Sequence, residues 1–339
     1  MSVSSAVEAP VRRSNRRIAL VRGEERDAYL CLIPALVLLA VFQYWPVLYD
    51  VYVSLHQWKV VEQGYVGLAN YQRILGDADF GQALIQTVYY VLGTVPFELA
   101  LGCGIALILF EVKHGAWFYR LLFFMPYVTS PVAVAIVWRW VLNGDLGAAN
   151  ALLGIFGIKS LTWLDEPTGI LNPLYTALGL KLPDWAAGPS LALVSVMIVT
   201  VWFYLGLHIV IYLAGLTAIP REVREAARID GASSIQVLRY VIFPLLTPTT
   251  FFLLVVATIG AFQSFSLIYV LTTNGSSDIG SPLGTTLVAT LYVFERFYQD
   301  LQLGYAAALA LLVALIVLAI TVLQFAVLER RVYYETSNE

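Results

Sequence analysis

The feature that most constrains this chain is a series of long stretches without Asp, Glu, Lys or Arg. Ala28 to Tyr49, Leu121 to Trp138, Trp185 to Pro220, Tyr240 to Ser277 and Leu301 to Leu328 carry none, and Phe80 to Phe110 is interrupted only by Glu98. About 20 apolar residues cross the hydrocarbon of a bilayer, so each stretch is long enough to span once. An isolated segment in lipid must satisfy its own backbone hydrogen bonds, which means a helix; strand-type alternation is absent, which excludes a β-barrel. The end of the fifth stretch, Leu271-Thr-Thr-Asn-Gly-Ser-Ser277, is turn chemistry. The reading is an all-α polytopic membrane protein with six helices near 29–55, 83–110, 116–142, 190–218, 242–270 and 303–327.

Composition agrees. Hydrophobic residues make up 59% and charged residues 13%, against about 45–50% and about 25% in soluble domains. A soluble enzyme, a nucleic-acid binder and a disordered scaffold are excluded. The net charge of −3 calls for no polyanionic partner, and Cys31 and Cys103 lie in apolar runs that imply no disulfide framework.

Charge near the span ends sets the expected orientation. Six arginines before Asp27, then Lys113 and Arg120, four arginines between Arg221 and Arg239, and Arg330 with Arg331 all fall on the side of the termini. That is fourteen of the twenty basic residues, so both termini are expected in the cytoplasm. Residues 1–27 read as a cytoplasmic basic arm, because no small-residue cleavage site follows the arginines. Its arginines set topology; contact with lipid head groups is the alternative, opposed by Glu24, Glu25 and Asp27. Residues 28–328 form the membrane domain and 329–339 a cytoplasmic tail. The long outer loop 143–189, with Trp163, Asp165, Glu166 and Trp185, is expected to form an ordered cap at the interface.

The cytoplasmic loop 217–244 is distinctive. Pro220 suits the first position of a helix, Glu222 and Glu225 favour its positive end, and Gly231 supplies a left-handed stop. Ser233 or Ser234 then caps a second short helix expected to end before Pro244. This helix–Gly–helix unit is either an amphipathic connector or a docking element for a cytoplasmic partner.

The residues Glu225-Ala-Ala-Arg-Ile-Asp-Gly-Ala232, followed by Ile242, Pro244 and Leu245, resemble the EAA loop of ABC importer permeases of the maltose and glycerol-3-phosphate type. Val66-Gly-Leu-Ala-Asn-Tyr71, Asn143-Gly-Asp-Leu-Gly147 with Asn150, Ala214-Gly-Leu216 and Tyr269-Val-Leu-Thr272 agree in order, so the likeness covers nearly the whole chain. Two outer segments depart from the pattern: Thr273 to Pro282, where the family has a Gly-Gly-Pro stretch, and the loop from Pro167 to Gly188.

The resemblance implies a type I importer transmembrane domain in the cytoplasmic (inner) membrane of a bacterium or archaeon. It implies a second permease subunit, two copies of a cytoplasmic ATPase and an extracytoplasmic substrate-binding protein as partners, with no nucleic acid. ATP and Mg belong to the ATPase; this chain is expected to hold no cofactor. It implies coupling to the ATPase through Glu225, Ala226, Ala227, Arg228, Asp230, Gly231 and Pro244. No catalytic residue is expected. The chain has no phosphate loop, since none of Lys59, Lys113, Lys159 and Lys181 follows a glycine, and no Ser/His/Asp set or metal-spaced His/Cys cluster appears. His208, the one histidine within a span, reads as an interhelical hydrogen-bond partner.

For the substrate path, Gln43, Gln86, Trp202, Tyr204, Phe262, Gln263 and Phe265 are candidates, because aromatic rings cover sugar faces and amides take hydroxyls. Gln263 and Phe265 come first because the family's cavity draws on their helix. Glu98, deep in the second span, must be paired, protonated or beside a wet cavity. Ordinary bundle packing is the alternative for all of these. A stand-alone secondary transporter or channel, and an ABC permease for a non-carbohydrate solute, are the competing functions. Sparse intramembrane charge opposes the first and the Ala-Arg-Ile-Asp-Gly-Ala form of the loop opposes the second.

Overall fold

Prolines and glycines decide where the helices of this protein bend and how closely they approach. The computed structural model describes residues 16–112, 114–172, 175, 187–273 and 278–329, with side chains from residue 28 onward. The start of the basic arm, Lys113, Trp185, Asn274 to Ser277 and the tail from residue 330 lie outside the described residues.

Two units are distinguished, Met1–Val53 and Ser54–Glu339. In the first, α1 (Arg16–Leu39) passes through a π turn over Ala40–Tyr44 into α2 (Trp45–Ser54). Pro46 accounts for that turn. It has no N–H and its ring crowds the carbonyl four residues back, and the helix widens so that the Trp45 N–H reaches Ala40 O instead. Side chains from Ala28 to Tyr49 are exposed.

The second unit begins with a hairpin, β1 (His56–Trp58) and β2 (Glu62–Tyr65), followed by α3 (Ala69–Leu75) and α4 (Ala78–Glu111). The Asp77 carboxylate caps α4 by accepting from the N–H groups of Asp79 and Phe80 at 3.1 and 3.2 Å. Then come α5 (Ala116–Val128), α6 (Pro131–Val141), α7 (Ala148–Ile155) and α8 (Leu191–Ala218). The chain continues with α9 (Arg221–Ile229), α10 (Ser234–Leu245), α11 (Thr247–Phe262), α12 (Ser266–Thr272), α13 (Ala289–Phe294) and α14 (Leu303–Leu328).

Among the described residues four helices are long and apolar enough to cross a membrane, and two bent pairs bring the number to six if each pair is one span. The expected continuous helix over 116–142 is corrected: α5 and α6 meet at 98°. Ser130, preceding Pro131, is driven to an extended ψ of 128° by the proline ring, and Pro131 restarts the helix. The expected helix over 242–270 is also broken. Its first part, α11, meets α10 at 59°, and it stops at Phe262. The Ser264 carbonyl accepts from the Thr290 hydroxyl at 2.7 Å rather than from a helical N–H, and α12 starts two residues later.

Helix α8 is the axis on which α4 and α5 pack. A Cβ at Gly206 would stand 2.1 Å from the Phe123 carbonyl oxygen, and one at Gly102 would stand 2.7 Å from the His208 Cβ. Without a hydrophobic force between helices in lipid, such small residues let backbones close to dispersion contact. At one end of the bundle Tyr90, Leu193, Ile268 and Leu271 form a core; at the other, Ile209, Tyr212, Leu216, Leu246 and Leu253 form a second. The first end also carries the segment that follows α6, where the Asn150 amide binds Gly144 O and Leu161 O while its oxygen accepts from the Trp163 indole at 2.9 Å. A third core joins the starts of α4, α13 and α14, where the Tyr292 hydroxyl donates to Asp77 at 2.6 Å and the Tyr305 hydroxyl donates to the same oxygen.

Candidate functional site

The loop between α8 and α11 is built by local chemistry that the sequence states. Pro220 stands at the N-cap of α9 rather than at its first helical position as expected, and the helix starts at Arg221. At the other end the Ala232 N–H binds Ala227 O at 3.0 Å and the Gly231 N–H binds Arg228 O at 3.1 Å, the paired bonds of a Schellman stop. That stop needs a left-handed residue, and Gly231 has φ +85°. Ser233 then begins α10 with a capping box: its N–H donates to Gln236 Oε1 at 2.7 Å, and its hydroxyl accepts from the Gln236 N–H.

The second helix does not end before Pro244, as its sequence suggested. A π turn over Leu238–Ile242 carries it through the proline, with the Phe243 N–H bonded to Leu238 O, by the same means that accommodates Pro46.

Helix α9 has two faces. Arg224 and Ala227 are half-buried, and Ala227 packs on the core made by Leu109, Leu216, Ile219 and Val237. Glu225, Ala226, Arg228, Asp230 and Gly231 are exposed, together with Ile229 at 85% and Ile235 at 76%. A short two-helix projection therefore presents a surface of acidic, basic and apolar side chains.

A second polar feature lies inside the bundle. Glu98 of α4 and His208 of α8 are 4% and 3% exposed, and Glu98 Oε2 is 3.7 Å from His208 Nε2. The other ring nitrogen of His208 meets Tyr204 O at 3.0 Å. Beside them the Tyr90 hydroxyl is 3.0 Å from both the Thr200 and the Ser264 hydroxyls. These groups border a cavity of about 140 Å³ closed on the far side by Ala257, Gly260 and Ala261 of α11. The few polar groups on its otherwise apolar wall can hold a water, and the small residues of α11 leave room for it.

Residues 79–333 match the family described as binding-protein-dependent transport system inner membrane component. The chain belongs to that family. It is 36% identical to the probable ABC transporter permease protein YesP of Bacillus subtilis over 81% of each chain. It is 30% identical to the sn-glycerol-3-phosphate transport system permease protein UgpA of Agrobacterium fabrum, over 90% of this chain and 96% of that one. With the trehalose/maltose transport system permease protein MalF of Thermococcus litoralis it shares 31% identity, over 88% and 92%. A chain from the crystal structure of a bacterial ABC transporter involved in import of the acidic polysaccharide alginate superposes with a TM-score of 0.73. That likeness covers 93% of this chain and 99% of that one at 19% identity, and it bears on fold alone. The protein is thus a multi-pass ABC importer permease subunit of the inner membrane.

In this permease the residues expected along the path fall in different places. Glu98 and Tyr204 border the interior cavity. Gln86 is buried with its side-chain oxygen unpartnered, and Phe262 is buried. Trp202 is 40% exposed and stands edge-on to Trp138 at 5.3 Å. Gln43 is exposed in the π turn that joins α1 to α2. Gln263 is exposed at the break between α11 and α12, and Phe265 stacks on Tyr269 at 5.3 Å with Phe294 edge-on at 4.9 Å. Phe294 in turn stacks on Tyr298 at 5.3 Å, which makes a ladder of four rings. Sequence reading missed Phe294, Tyr298, Tyr90, Thr200 and Ser264. Only the break after Phe262 brings the ladder together, and isolated hydroxyls in a span carry no periodic signal.

Proposed function

We propose that this permease is one half of a heterodimeric pore that imports a sugar or polyol derivative by alternating access. Both termini lie in the cytoplasm, in line with the excess of Lys and Arg on that side. A second permease completes the pore, two copies of an ATPase bind the cytoplasmic face, and an extracytoplasmic binding protein delivers the cargo. Hydrolysis takes place in the ATPase with its ATP and Mg, and this chain supplies no catalytic group.

The observation that carries the reading is the exposed face of α9. Glu225 and Ala226 are exposed, as are Ile229 and Ile235, apolar side chains left largely uncovered by the described residues, on a projection locked by Gly231 and the capping box. Such a surface fits a partner's cleft, with Glu225 for polar contact and the alanine for close approach. Closure of the ATPase pair then moves α9 and, through Val237 and Leu246 in the shared core, the helices α8 and α11.

A carbohydrate cargo is supported by relatives named for trehalose/maltose and for sn-glycerol-3-phosphate transport. The exposed Gln263 beside the aromatic ladder from Tyr269 to Tyr298 supplies amide and ring faces of the kind that bind sugars. No basic cluster falls in the spans, which favours an uncharged cargo.

The decisive experiment reverses one charge. Glu225→Lys is expected to abolish co-purification of the ATPase and ATP-driven uptake while leaving the chain folded in the membrane. Retained ATPase and undiminished uptake would overturn the coupling assignment.

A further inference from the structure

The ends of α4 and α8 and the first turn of α9 enclose a cleft of about 430 Å³. Phe110, Val112 and Ile219 form its apolar wall, and among the described residues Arg221, Arg224 and Glu111 are its charged groups. Among the described residues no carboxylate lies within 4.0 Å of either arginine. Arg224 lies over the Phe110 ring, its guanidinium carbon 4.9 Å from the centroid. A cation over a ring face is held by the ring's quadrupole, and this contact uses none of the guanidinium's five N–H groups as a hydrogen bond to a carboxylate. The Arg224 Nε is shielded from solvent and has no acceptor among the described residues.

The position of the cleft matters as much as its charge. Phe110 is next to the last residue of α4 and Ile219 directly follows α8, two helices long and apolar enough to cross the bilayer. The cleft therefore lies at the depth of the lipid head groups, with its apolar wall on the hydrocarbon side.

We propose that this cleft binds a phosphate group, that of an anionic phospholipid. Arg221 and Arg224 donate charge-assisted hydrogen bonds to the phosphate oxygens, while Phe110, Val112 and Ile219 meet the first carbons of the lipid. Two arginines and one glutamate leave one positive charge, which the single negative charge of a phosphodiester balances. Basic pockets between membrane helices are suited to such head groups. A lipid seated there joins the end of α4 to the root of α9 and steadies the projection. Arg224 lies on the half-buried face of α9, whereas Arg221 is exposed and lies one turn before Glu225 on the same side, and lipid retention is read separately from the ATPase contact.

The test uses the full-length chain purified with its transporter partners in nanodiscs of phosphatidylcholine containing a minor fraction of phosphatidylglycerol. Retained lipid is counted by native mass spectrometry. The wild type is expected to retain phosphatidylglycerol in preference, and Arg221→Gln with Arg224→Gln to weaken that preference about tenfold. Arg239→Gln, on the same loop but outside the cleft, is expected to keep it. In an arm without variants, short-chain phosphatidylglycerol is expected to raise the unfolding midpoint of the wild type above its value in short-chain phosphatidylcholine. Displacement of the lipid by millimolar inorganic phosphate assigns the cleft to free phosphate and overturns the lipid source. Equal retention by the double variant, equal loss in Arg239→Gln, or equal midpoints in the two lipids overturns the site.

Discussion

Glu98 on α4 and His208 on α8 face each other at 3.7 Å, and Gly102, one turn beyond Glu98, lets α4 close on the His208 Cβ. The pair is buried in the bundle beside the interior cavity. Removing one member leaves the other without its partner in a medium that offers little substitute. A double-mutant cycle with Glu98→Gln and His208→Gln, read by thermal unfolding in detergent, is expected to show a coupling energy of about 1 kcal/mol. Additive effects would mean that the two groups are neighbours without mutual stabilisation.

Gly206 sets the distance between α5 and α8. A methyl group there meets the Phe123 carbonyl at 2.1 Å, and a backbone atom cannot step aside as a flexible side chain does. Gly206→Ala is expected to destabilise the permease by about 2 kcal/mol or more. Gly104→Ala, on the neighbouring α4, meets nothing within 4 Å and is expected to be neutral or slightly stabilising. Comparing the two unfolding midpoints separates close approach from helix propensity.

Gly231 has open space around it, so only its backbone resists substitution. Gly231→Ala is expected to cost about 1 kcal/mol, too little to prevent membrane insertion, yet to misalign α9 against α10. The expected result is normal abundance with impaired transport-coupled ATP hydrolysis, and a milder defect for Gly231→Asn. Unchanged coupling in Gly231→Ala would show that the Schellman stop is dispensable.

Asp77 predicts a pH response outside the spans. Burial raises its pKa, but hydrogen bonds from Tyr292, Tyr305 and the Phe80 N–H, with the nearby Arg296, outweigh that and hold it below the usual carboxylate value. A pKa lower in the folded state contributes stability that is present above the unfolded value and is lost as pH falls through the folded one. Unfolding midpoints of wild type and Asp77→Asn are therefore expected to differ at neutral pH and to converge below about pH 4. A constant gap across the acid range would assign the effect to packing alone.

Gln263 and Tyr298 test the path. Gln263→Ala and Tyr298→Ala are each expected to raise the apparent KM for uptake about tenfold through a lost sugar hydrogen bond or ring face, with ATPase association unchanged. Wild-type kinetics in both would leave the ladder as packing.

The loop between α8 and α11 was legible because its determinants are local. Pro220, Gly231, the Ser233 and Gln236 pair and the charge pattern each act within one turn of backbone, so reading them in order describes the projection. The break at Ser130 was present in the text too, as a proline preceded by a serine, but the run of apolar residues on both sides masked it. Pro244 misled in the opposite direction, since a π turn absorbed a residue that ordinarily stops a helix.

The interior site follows another logic. Tyr90, Thr200 and Ser264 come from α4, α8 and the break after α11, and nothing in their spacing joins them. Sequence alone determined that the chain enters a bilayer, where its apolar stretches begin and end, and how the loop beyond α8 turns, because water exclusion and capping act on neighbours in the chain. Tertiary structure decided that Glu98 meets His208, that Phe265 stacks into a ladder with Phe294 and Tyr298, and that Arg224 turns inward while Glu225 turns out. The first of these depends on how closely α4 and α8 pack, which Gly102 governs at a contact with a residue distant in the chain, and the others on chain segments that meet only in the folded bundle.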